Sequence, residues 1–328
     1  MARKKASRSS SLQKAERVIN VRLVTGADRY LDIGQELSKI NRKLMSQQHV
    51  YGIESVEIDF ASVDPAVADQ IHIQAFVAPD NWVSHNAYVK GRALWHQMNE
   101  LVLDDNPSIQ GKWADYKIFL DAAHRANYFA NGNLAARDGN NVLYTAGEWA
   151  YSTYVLPEHN VDPATGNPLP ADITQSHLLG VDVGVPGALT SVGLIKAYAE
   201  SRATVFDNNP NVPAGMADSF FNLLTDSGSQ EPELSGEIEF QNDDPPYDLI
   251  NYPGGDTNAV NPVKVDFATA TLGSPNAMLG PFVAPMGLVK FYVVPSLGGM
   301  PTTNFECNVR ITIMAGSYKG VAAIPMGQ

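Results

Sequence analysis

The sequence predicts a mainly β protein built from antiparallel β-sandwiches, with short helices and one amphipathic helix near the N-terminus. Short stretches in which apolar and polar residues alternate recur along the chain, and 26 glycines and 21 prolines provide frequent turns between them. The regular alternation of strands and helices that marks a parallel nucleotide-binding sheet is absent. These observations favour sheets that face each other across a core over a doubly wound α/β fold.

The N-terminal half combines strands with most of the predicted helices. Residues 18–24 alternate as in a strand, and apolar residues from Ile33 to Leu44 then recur at the three- and four-residue spacing of an amphipathic helix over 33–46. Further strands are predicted at 56–60, 71–77 and 148–155, and further helices at 82–103 and 113–123.

The C-terminal half is more uniformly strand-like. Strands are predicted at 193–200, 236–240, 263–271 and 288–294 and around Cys307, with a single short helix at 215–225. Between the halves, residues 157–170 contain four prolines and no periodicity, which predicts a linker; a long surface loop within one domain is the alternative. The predicted divisions are an arm at 1–17, a strand and helix segment at 18–48, and strand-rich units at 49–156 and 171–328.

Charge is divided very unevenly along the chain. Residues 1–50 carry a net charge of +7, whereas the remaining 278 residues carry −19, which gives the total of −12. Charged residues make up only 18% of the chain, below the quarter or so that is usual for soluble domains. A low charge fraction suggests that other subunits cover much of the surface. A single enzyme with a neutral surface is the alternative.

Cysteine usage and hydropathy limit the class of protein further. The single cysteine, Cys307, rules out an intrachain disulfide and lies on the apolar face of a predicted strand, so we expect it to be buried and inert. No apolar run is long enough to span a membrane, and no apolar segment follows the basic start as it would in a secretory signal. The basic start also has the composition of a mitochondrial transit peptide but lacks an amphipathic apolar face.

No motif predicts catalysis, a cofactor or a metal. The seven histidines show no spacing typical of zinc or cupin-like sites, and the nucleophile-elbow, phosphate-loop and dinucleotide-binding patterns are absent. The acidic pairs Asp104/Asp105 and Asp243/Asp244 could bind calcium between subunits, although they lack the calcium-loop pattern and fit solvated loops better. Carboxylates that meet only in space could still form a glycosidase pair. We therefore expect a protein that is not an enzyme.

The N-terminal arm is the candidate functional site. It is basic and rich in serine, and its six cations are Arg3, Lys4, Lys5, Arg8, Lys14 and Arg17. Such an arm can neutralise phosphates of a genome without reading sequence, or lie against an anionic lipid surface. A solvated tail without a partner is the alternative. No aromatic residue occurs in the first 29, so base stacking is not indicated.

Taken together, these features resemble the double jelly-roll major capsid proteins of tailless icosahedral viruses, in particular those of membrane-containing phages of the corticovirus and finnlakevirus type. The stretches that suggest it most are APDNWVSHNAYVKGRALW, from Ala78 to Trp95, and AGSYKGVAAIPM, from Ala315 to Met326. The resemblance implies jelly rolls at 49–156 and 171–328, pseudo-hexagonal trimers that tile a shell, and an arm that faces inward.

The same resemblance implies where the protein would act and with what. Its partners would be copies of itself, other virion proteins such as a penton, and the viral genome or an internal membrane contacted by the arm. It would have no small-molecule substrate, and it would reside in the virion after assembly in the host cytoplasm. A single jelly-roll capsid protein with a projecting domain is the nearby alternative, because the helical content of 82–125 is high for one sandwich.

Two other function classes remain open. A glycan-binding or glycan-active sandwich is suggested by loops rich in aspartate and asparagine together with four tryptophans, Trp82, Trp95, Trp113 and Trp149. Scattered tryptophans are more often core anchors. A nucleic-acid-binding protein that acts as a monomer is opposed by the acidic body, which a duplex would repel.

Overall fold

The computed structural model describes residues 14–24, 28–60, 66–111, 114–145, 147, 149–156, 172–185, 188–203, 261–302 and 305–327. The fold in these ranges is mainly β with several antiparallel sheets, as predicted. The strands are β1 Val18–Val24, β2 Arg29–Asp32, β3 His49–Asp59, β4 Gln70–Val77, β5 Phe119–Asp121, β6 Thr153–Leu156, β7 Asp172–Leu179, β8 Val183–Val185, β9 Ala188–Gly193, β10 Val263–Thr271, β11 Asn276–Leu279, β12 Phe282–Ala284, β13 Leu288–Leu297, β14 Met300–Pro301, β15 Glu306–Ile313, β16 Ala315–Tyr318 and β17 Ala323–Pro325. The helices are α1 Ile33–Asn41, α2 Trp82–Asp105, α3 Ala122–Phe129 and α4 Leu194–Ala203.

Two antiparallel sheets are built from strands at opposite ends of the chain. The first sheet has the order β1-β15-β3-β11, with β12 and β17 also paired to β3. The second has the order β10-β4-β13, and both β2 and β14 pair with β13. The register joins β1 to β15 from Val18↔Thr312 to Val24↔Glu306. We call these two sheets together the two-sheet unit.

The two sheets share one hydrophobic core. Alternate residues of each strand point inward, as the period of two along a strand requires. In β1 these are Ile19, Val21 and Leu23, all at most 2% exposed, and they belong to the same buried cluster as Ile73 of β4 and Phe291 of β13. Burial of such side chains stabilises the fold by roughly 1.5–3 kcal/mol each.

Between β4 and β10 the chain forms a second unit, which we call the inserted unit (the described residues 82–203). Its sheet has the order β5-β7-β9-β8 with β6 paired to β7, and its β5/β7 and β7/β9 pairs are parallel. Its core contains Tyr116, Ile118 and Leu178 and continues into the two-sheet unit through Tyr30 and Leu288. The inserted unit therefore packs directly on the two-sheet unit.

Most predicted strands and helices agree with the structure. Strands occur as expected at 18–24, at 263–271 and around Cys307, and the expected strands at 56–60, 71–77 and 288–294 lie in β3, β4 and β13 or at their ends. The expected strand at 148–155 is limited to β6 at its end. The helix expected over 82–103 is α2. The helix expected over 33–46 ends at Asn41, because Arg42 adopts the left-handed backbone conformation, with φ of 53°.

Two predictions of secondary structure are wrong. Residues 113–123 were expected to be helical, but Tyr116, Ile118, Phe119 and Leu120 are all completely buried in extended chain that leads into β5. Residues 193–200 were expected to form a strand, yet α4 begins at Leu194. Residues 116–120 are buried on all sides, and α4 is buried on one side. In short segments, both arrangements give a spacing of apolar residues that fits a strand as well as a helix.

The strands do not pair within the two halves that a boundary at 157–170 would separate. Strands from before and after that position lie side by side in both sheets of the two-sheet unit, so the described strands of 171–328 do not form a separate sandwich. Residues 157–170 themselves, the helix expected at 215–225 and the strand expected at 236–240 lie outside the described residues.

Cys307 is buried, as expected. It is completely inaccessible on the inner face of β15, and burial raises the pKa of its thiol to about 12. A thiol in this state is neutral at physiological pH and a poor nucleophile. Its role is to fill space in the core.

Candidate polyanion-facing surface

The structure places two of the six cations predicted as the functional site. Lys14 and Arg17 lie just before β1, in the segment 14–17 that we call the arm base. Arg3, Lys4, Lys5 and Arg8 lie outside the described residues. The surface around the arm base is therefore the described part of the candidate site.

The arm base is held against the end of α1 by a reciprocal pair of hydrogen bonds. The Glu16 amide donates to Asn41 Oδ1 at 2.8 Å, and Asn41 Nδ2 donates to the Glu16 carbonyl at 2.9 Å. The backbone then joins the first sheet, where the Ile313 amide donates to the Arg17 carbonyl at 2.9 Å. The point at which the arm leaves the folded body is thus fixed by three hydrogen bonds.

Three exposed cations gather at this point. Lys14 precedes the fixed segment, and Arg42 and Lys43 form the turn that follows α1. Lys43 Nζ donates to the Lys14 carbonyl at 3.3 Å, which joins the turn to the arm base. Within the described residues, no ion pair connects any of the three to an acidic side chain. We call Lys14, Arg42 and Lys43 the basic turn.

Arg17 makes structural contacts in addition to the role predicted for it. Its guanidinium donates to the Ile313 carbonyl at 2.8 Å and forms an ion pair with Glu54 at 3.4 Å. These contacts fasten the start of β1 to the neighbouring strands. Arg17 therefore helps to hold the first sheet together, whereas Lys14 is exposed to solvent; the contact of both with a polyanion stays a prediction.

On the outer face of the first sheet, arginines form ion pairs with glutamates. Besides Arg17 with Glu54, Arg22 pairs with Glu306 and Arg310 pairs with Glu57 across neighbouring strands. Such cross-strand pairs of opposite charge are a common feature of exposed sheet faces. The basic turn differs from this face, because its three cations have no acidic partner among the described residues.

A buried polar network holds α1 in place behind this surface. Asp32 caps the helix by accepting from the Gln35 amide at 3.0 Å, and it also accepts from Gln47 Nε2 at 2.7 Å and from the Tyr151 hydroxyl at 3.2 Å. Burial raises the pKa of Asp32 to about 6. Gln47 Oε1 in turn accepts from the Ile118 amide at 2.8 Å. The network therefore ties α1 to the inserted unit.

A second buried carboxylate makes a parallel connection. Glu36 accepts from Lys39 Nζ at 2.7 Å and from the Ala136 amide at 2.7 Å. Burial raises its pKa, and the charge of Lys39 opposes that effect. Asp32 and Glu36 together make the position of α1, and hence of the basic turn, depend on the inserted unit.

A serine and a histidine lie within hydrogen-bond distance, as in a nucleophile and its base, but both are inaccessible to solvent. The Ser191 hydroxyl lies 2.6 Å from His177 Nδ1, and His177 Nε2 lies 3.0 Å from the Val181 carbonyl. Both side chains are completely buried, and burial lowers the pKa of His177. A nucleophile needs access for substrate, so we interpret this pair as a structural contact between β7 and β9.

The three tryptophans that the structure describes do not form an exposed platform for sugars. Trp82 and Trp95 pack against the core of the inserted unit, and the Trp149 ring is covered by Lys117 Nζ at 4.8 Å from its centroid. Trp113 lies outside the described residues. A groove of 760 Å³ on the outer face of the first sheet is lined by polar and aliphatic residues without an aromatic side chain.

The part of the chain that the structure describes has no cluster of three or more His, Cys, Asp or Glu side chains that could hold a metal ion. Among its helices, none combines the length and the apolar character needed to cross a membrane. No protein-family model, curated protein or solved structure matches the chain significantly. The interpretation of function therefore depends on the strand order and on the charged surfaces described above.

Proposed function

We propose that this protein is a self-assembling capsid subunit whose two-sheet unit is a single jelly roll and whose inserted unit projects from it. The observation that carries the proposal is the order of its eight principal strands, which are β1, β2, β3, β4, β10, β11, β13 and β15. Numbered one to eight along the chain, they form one sheet in the order 1-8-3-6 and another in the order 2-7-4-5. Two facing sheets whose strands alternate in this way are the pattern of a jelly roll.

The strand order favours one jelly roll over two. All eight strands come from residues 18–77 and 263–313, and the inserted unit enters between the fourth and fifth strands. The ends of this insertion are adjacent, because Val77 at the end of β4 is in register with Val263 at the start of β10. An insertion at such a point can be large without disturbing the sheets, which supports a projecting unit.

Charge supports a capsid over the other known uses of the fold. Jelly rolls occur in viral capsids, in lectins and in cupins. A cupin needs a metal cluster, and the described residues contain no such cluster. A lectin commonly uses aromatic rings in its binding groove, and the 760 Å³ groove on the first sheet is lined by none. A basic arm that leaves an acidic body beside the basic turn suits a subunit whose inner face meets a polyanion. Nucleic acid is the inner partner that we propose, and copies of this chain are the lateral partners.

Expression of the full chain followed by light scattering and electron microscopy tests the proposal. We expect closed particles that contain nucleic acid, seen as a raised ratio of absorbance at 260 nm to that at 280 nm. A variant lacking residues 2–13 should still form particles but contain less nucleic acid. A matched control replaces the cations of the same segment by glutamine and keeps its length. Particles with unchanged nucleic-acid content in both variants would refute the role of the arm.

A further inference from the structure

The second half of α2 exposes large apolar side chains to solvent. All five buried residues of this helix lie between Val83 and Gly91. After Gly91 the helix continues past the core of the inserted unit, where Leu94 is 46% exposed and Leu101 is 65% exposed. Apolar side chains that are exposed together on one element mark a surface that binds another protein. This half of α2 is therefore a candidate contact surface.

Leu94 and Leu101 belong to a continuous stripe on one face of the helix. The stripe consists of Lys90, Leu94, Gln97, Leu101 and Asp104, which follow one another at alternating spacings of four and three residues. Residues at these spacings share one face of a helix, and all five are exposed. A stripe of this kind is the pattern by which one helix packs along another. We call these five residues the exposed stripe.

Charge is divided between the two ends of the exposed stripe. Lys90 lies at its N-terminal end, and Asp104 with the adjacent Asp105 lies at its C-terminal end. Within the described residues, none of these three side chains takes part in an ion pair. Lys90 Nζ lies 4.7 Å from the centre of the Tyr198 ring, a contact that involves no acidic group. Each end of the stripe thus carries the charge that would complement the other end.

The exposed stripe is complementary to itself when two copies of the helix run antiparallel. A register that places Leu94 of one copy opposite Leu101 of the other has its centre next to Gln97. The same register places Lys90 opposite Asp105, because this pair has the same midpoint in the sequence. Twofold symmetry repeats each contact, so both the leucine contact and the ion pair occur twice. In a parallel pair, by contrast, like charges would lie side by side.

We propose that the inserted unit binds a second copy of this chain through the exposed stripe, as a twofold dimer of antiparallel α2 helices. A twofold contact needs a surface that complements itself, and the apolar and the charged positions of the stripe meet that condition in one register. The opposite charges at its two ends determine the direction of packing, since juxtaposed like charges disfavour the parallel arrangement. This contact does not depend on a closed shell, because it joins two copies whether they are free or part of a particle.

A cysteine at the centre of the exposed stripe tests the geometry. Gln97→Cys places two thiols beside the twofold axis, so mild oxidation of the full chain should give a disulfide-linked dimer on a denaturing gel. Asn86→Cys is the matched control, because it is exposed on the same helix but its two copies would be about 35 Å apart along the helix axis. The natural Cys307 is completely buried and should not react. Absence of the dimer with Gln97→Cys, or equal yields from the two variants, would overturn the inference.

Further substitutions in the Gln97→Cys protein test the chemistry of the contact. Leu101→Asp should slow cross-linking about tenfold or more, because it removes two apolar contacts from each dimer. Lys90→Glu should slow it about threefold, since both ion pairs become repulsive. Addition of Asp105→Lys to Lys90→Glu should restore the rate by exchanging the two charges. Phe129→Asp is the control, because Phe129 is exposed on the inserted unit outside α2, and it should leave the rate unchanged.

These results distinguish the α2 contact from the proposed shell. Cross-linking that slows with Leu101→Asp and recovers on charge exchange supports the antiparallel pair, with or without particles. An unchanged rate with Leu101→Asp contradicts it, as does a failure of the charge exchange to restore the rate. Closed particles without the cross-link would overturn this inference alone and leave the proposed function standing. If circular dichroism shows that Leu101→Asp does not fold, the charge exchange decides.

Discussion

The buried carboxylate of Asp32 accepts hydrogen bonds from three separate segments of the chain. It caps α1, accepts from Gln47 and Tyr151, and is only 4% exposed. Burial raises its pKa from 3.8 to about 6 in spite of these three hydrogen bonds. The ionised form is therefore less stable in the folded protein than in the unfolded chain. This cost is present above pH 6 and disappears below pH 4.

Replacement of Asp32 by asparagine should change how stability depends on pH. As pH rises from 4 to 6, the folded parent protein must give up a proton that it binds more tightly than the unfolded chain does, so Asp32 lowers stability by about 3 kcal/mol. Asp32→Asn removes this titration while keeping an oxygen that can cap α1. Urea unfolding between pH 4 and 7 should show the variant gaining about 3 kcal/mol of stability relative to the parent as pH rises, because the other titrating groups are the same in both proteins. Identical pH profiles would contradict the account.

His124 contributes a pH dependence of the opposite sign. It is 1% exposed, its Nδ1 accepts from the Leu120 amide at 3.0 Å, and its ring stacks on Tyr30 with centroids 4.9 Å apart. Burial lowers its pKa from 6.5 to about 3. The imidazole is thus neutral in the folded state, and the unfolded chain binds the extra proton between pH 6.5 and 3.

Acidification should therefore destabilise the fold through His124. The stability that depends on a neutral His124 is present above pH 6.5, and about 3 kcal/mol of it is lost between pH 7 and pH 4. His124→Gln should be less stable at pH 7, because the stacking on Tyr30 is lost, but should lose less stability on acidification. The check is urea unfolding at pH 4 and pH 7. A variant with the same acid sensitivity as the parent would show that His124 is not the titrating group.

At the scale of elements, the end of α1 determines where the arm begins. Asn41 connects the helix to Glu16 through two hydrogen bonds and also donates to the Leu37 carbonyl at 3.0 Å. Asn41→Ala should free the arm base, and trypsin cleavage after Arg17 should become about tenfold faster. Asn20→Ala, on the outer face of β1, is the control and should leave the rate unchanged. Equal cleavage rates in the two variants would refute the role of Asn41.

The junction between β9 and α4 requires glycine. A Cβ at Gly193 would lie 2.3 Å from the Gly180 carbonyl oxygen, a backbone atom that cannot move independently. Gly193→Ala should destabilise the inserted unit by about 1–3 kcal/mol, measured by urea unfolding. Gly139→Ala is the matched control, because a Cβ there would meet nothing within 4 Å. A stability loss of the same size in both variants would contradict this explanation.

Elements were predictable where one face is buried and the other is exposed. In β15, Cys307, Val309 and Ile311 are buried while Asn308 and Arg310 are exposed, and this alternation identifies the strand directly. Residues 116–120 are buried without interruption, so the spacing of their largest side chains imitates a helix. In α4, Leu194, Ile195 and Tyr198 are buried at helical spacing, but the segment is too short to separate the two patterns by sequence.

At the scale of the whole molecule, the sequence does not reveal which strands pair. The pairing of β1 with β15 joins residues almost three hundred positions apart, and alternation identifies each strand without identifying its neighbour. The candidate site was predictable only in its charge. The basic composition of the arm predicts Lys14 as a member of the site, whereas the contact of Asn41 with Glu16 depends on residues that come together only in the fold.

The fold shows where the positive charge of residues 1–50 lies on the acidic body. The arm precedes β1, and the basic turn lies beside the arm base after α1, so the start of the basic arm and the basic turn meet at one place on the body. Elsewhere on the first sheet, arginines are matched by glutamates. In the capsid that we propose, this end of the subunit would face the enclosed nucleic acid.

Negative-stain electron microscopy of the purified full chain shows whether it assembles as we propose. We expect closed particles of uniform size at near-physiological salt, because a subunit with one jelly roll and an inward arm should assemble around nucleic acid. Light scattering on the same sample should give a mass many times that of the 35.5 kDa chain. A stable monomer at high protein concentration, with and without added nucleic acid, would contradict the proposal.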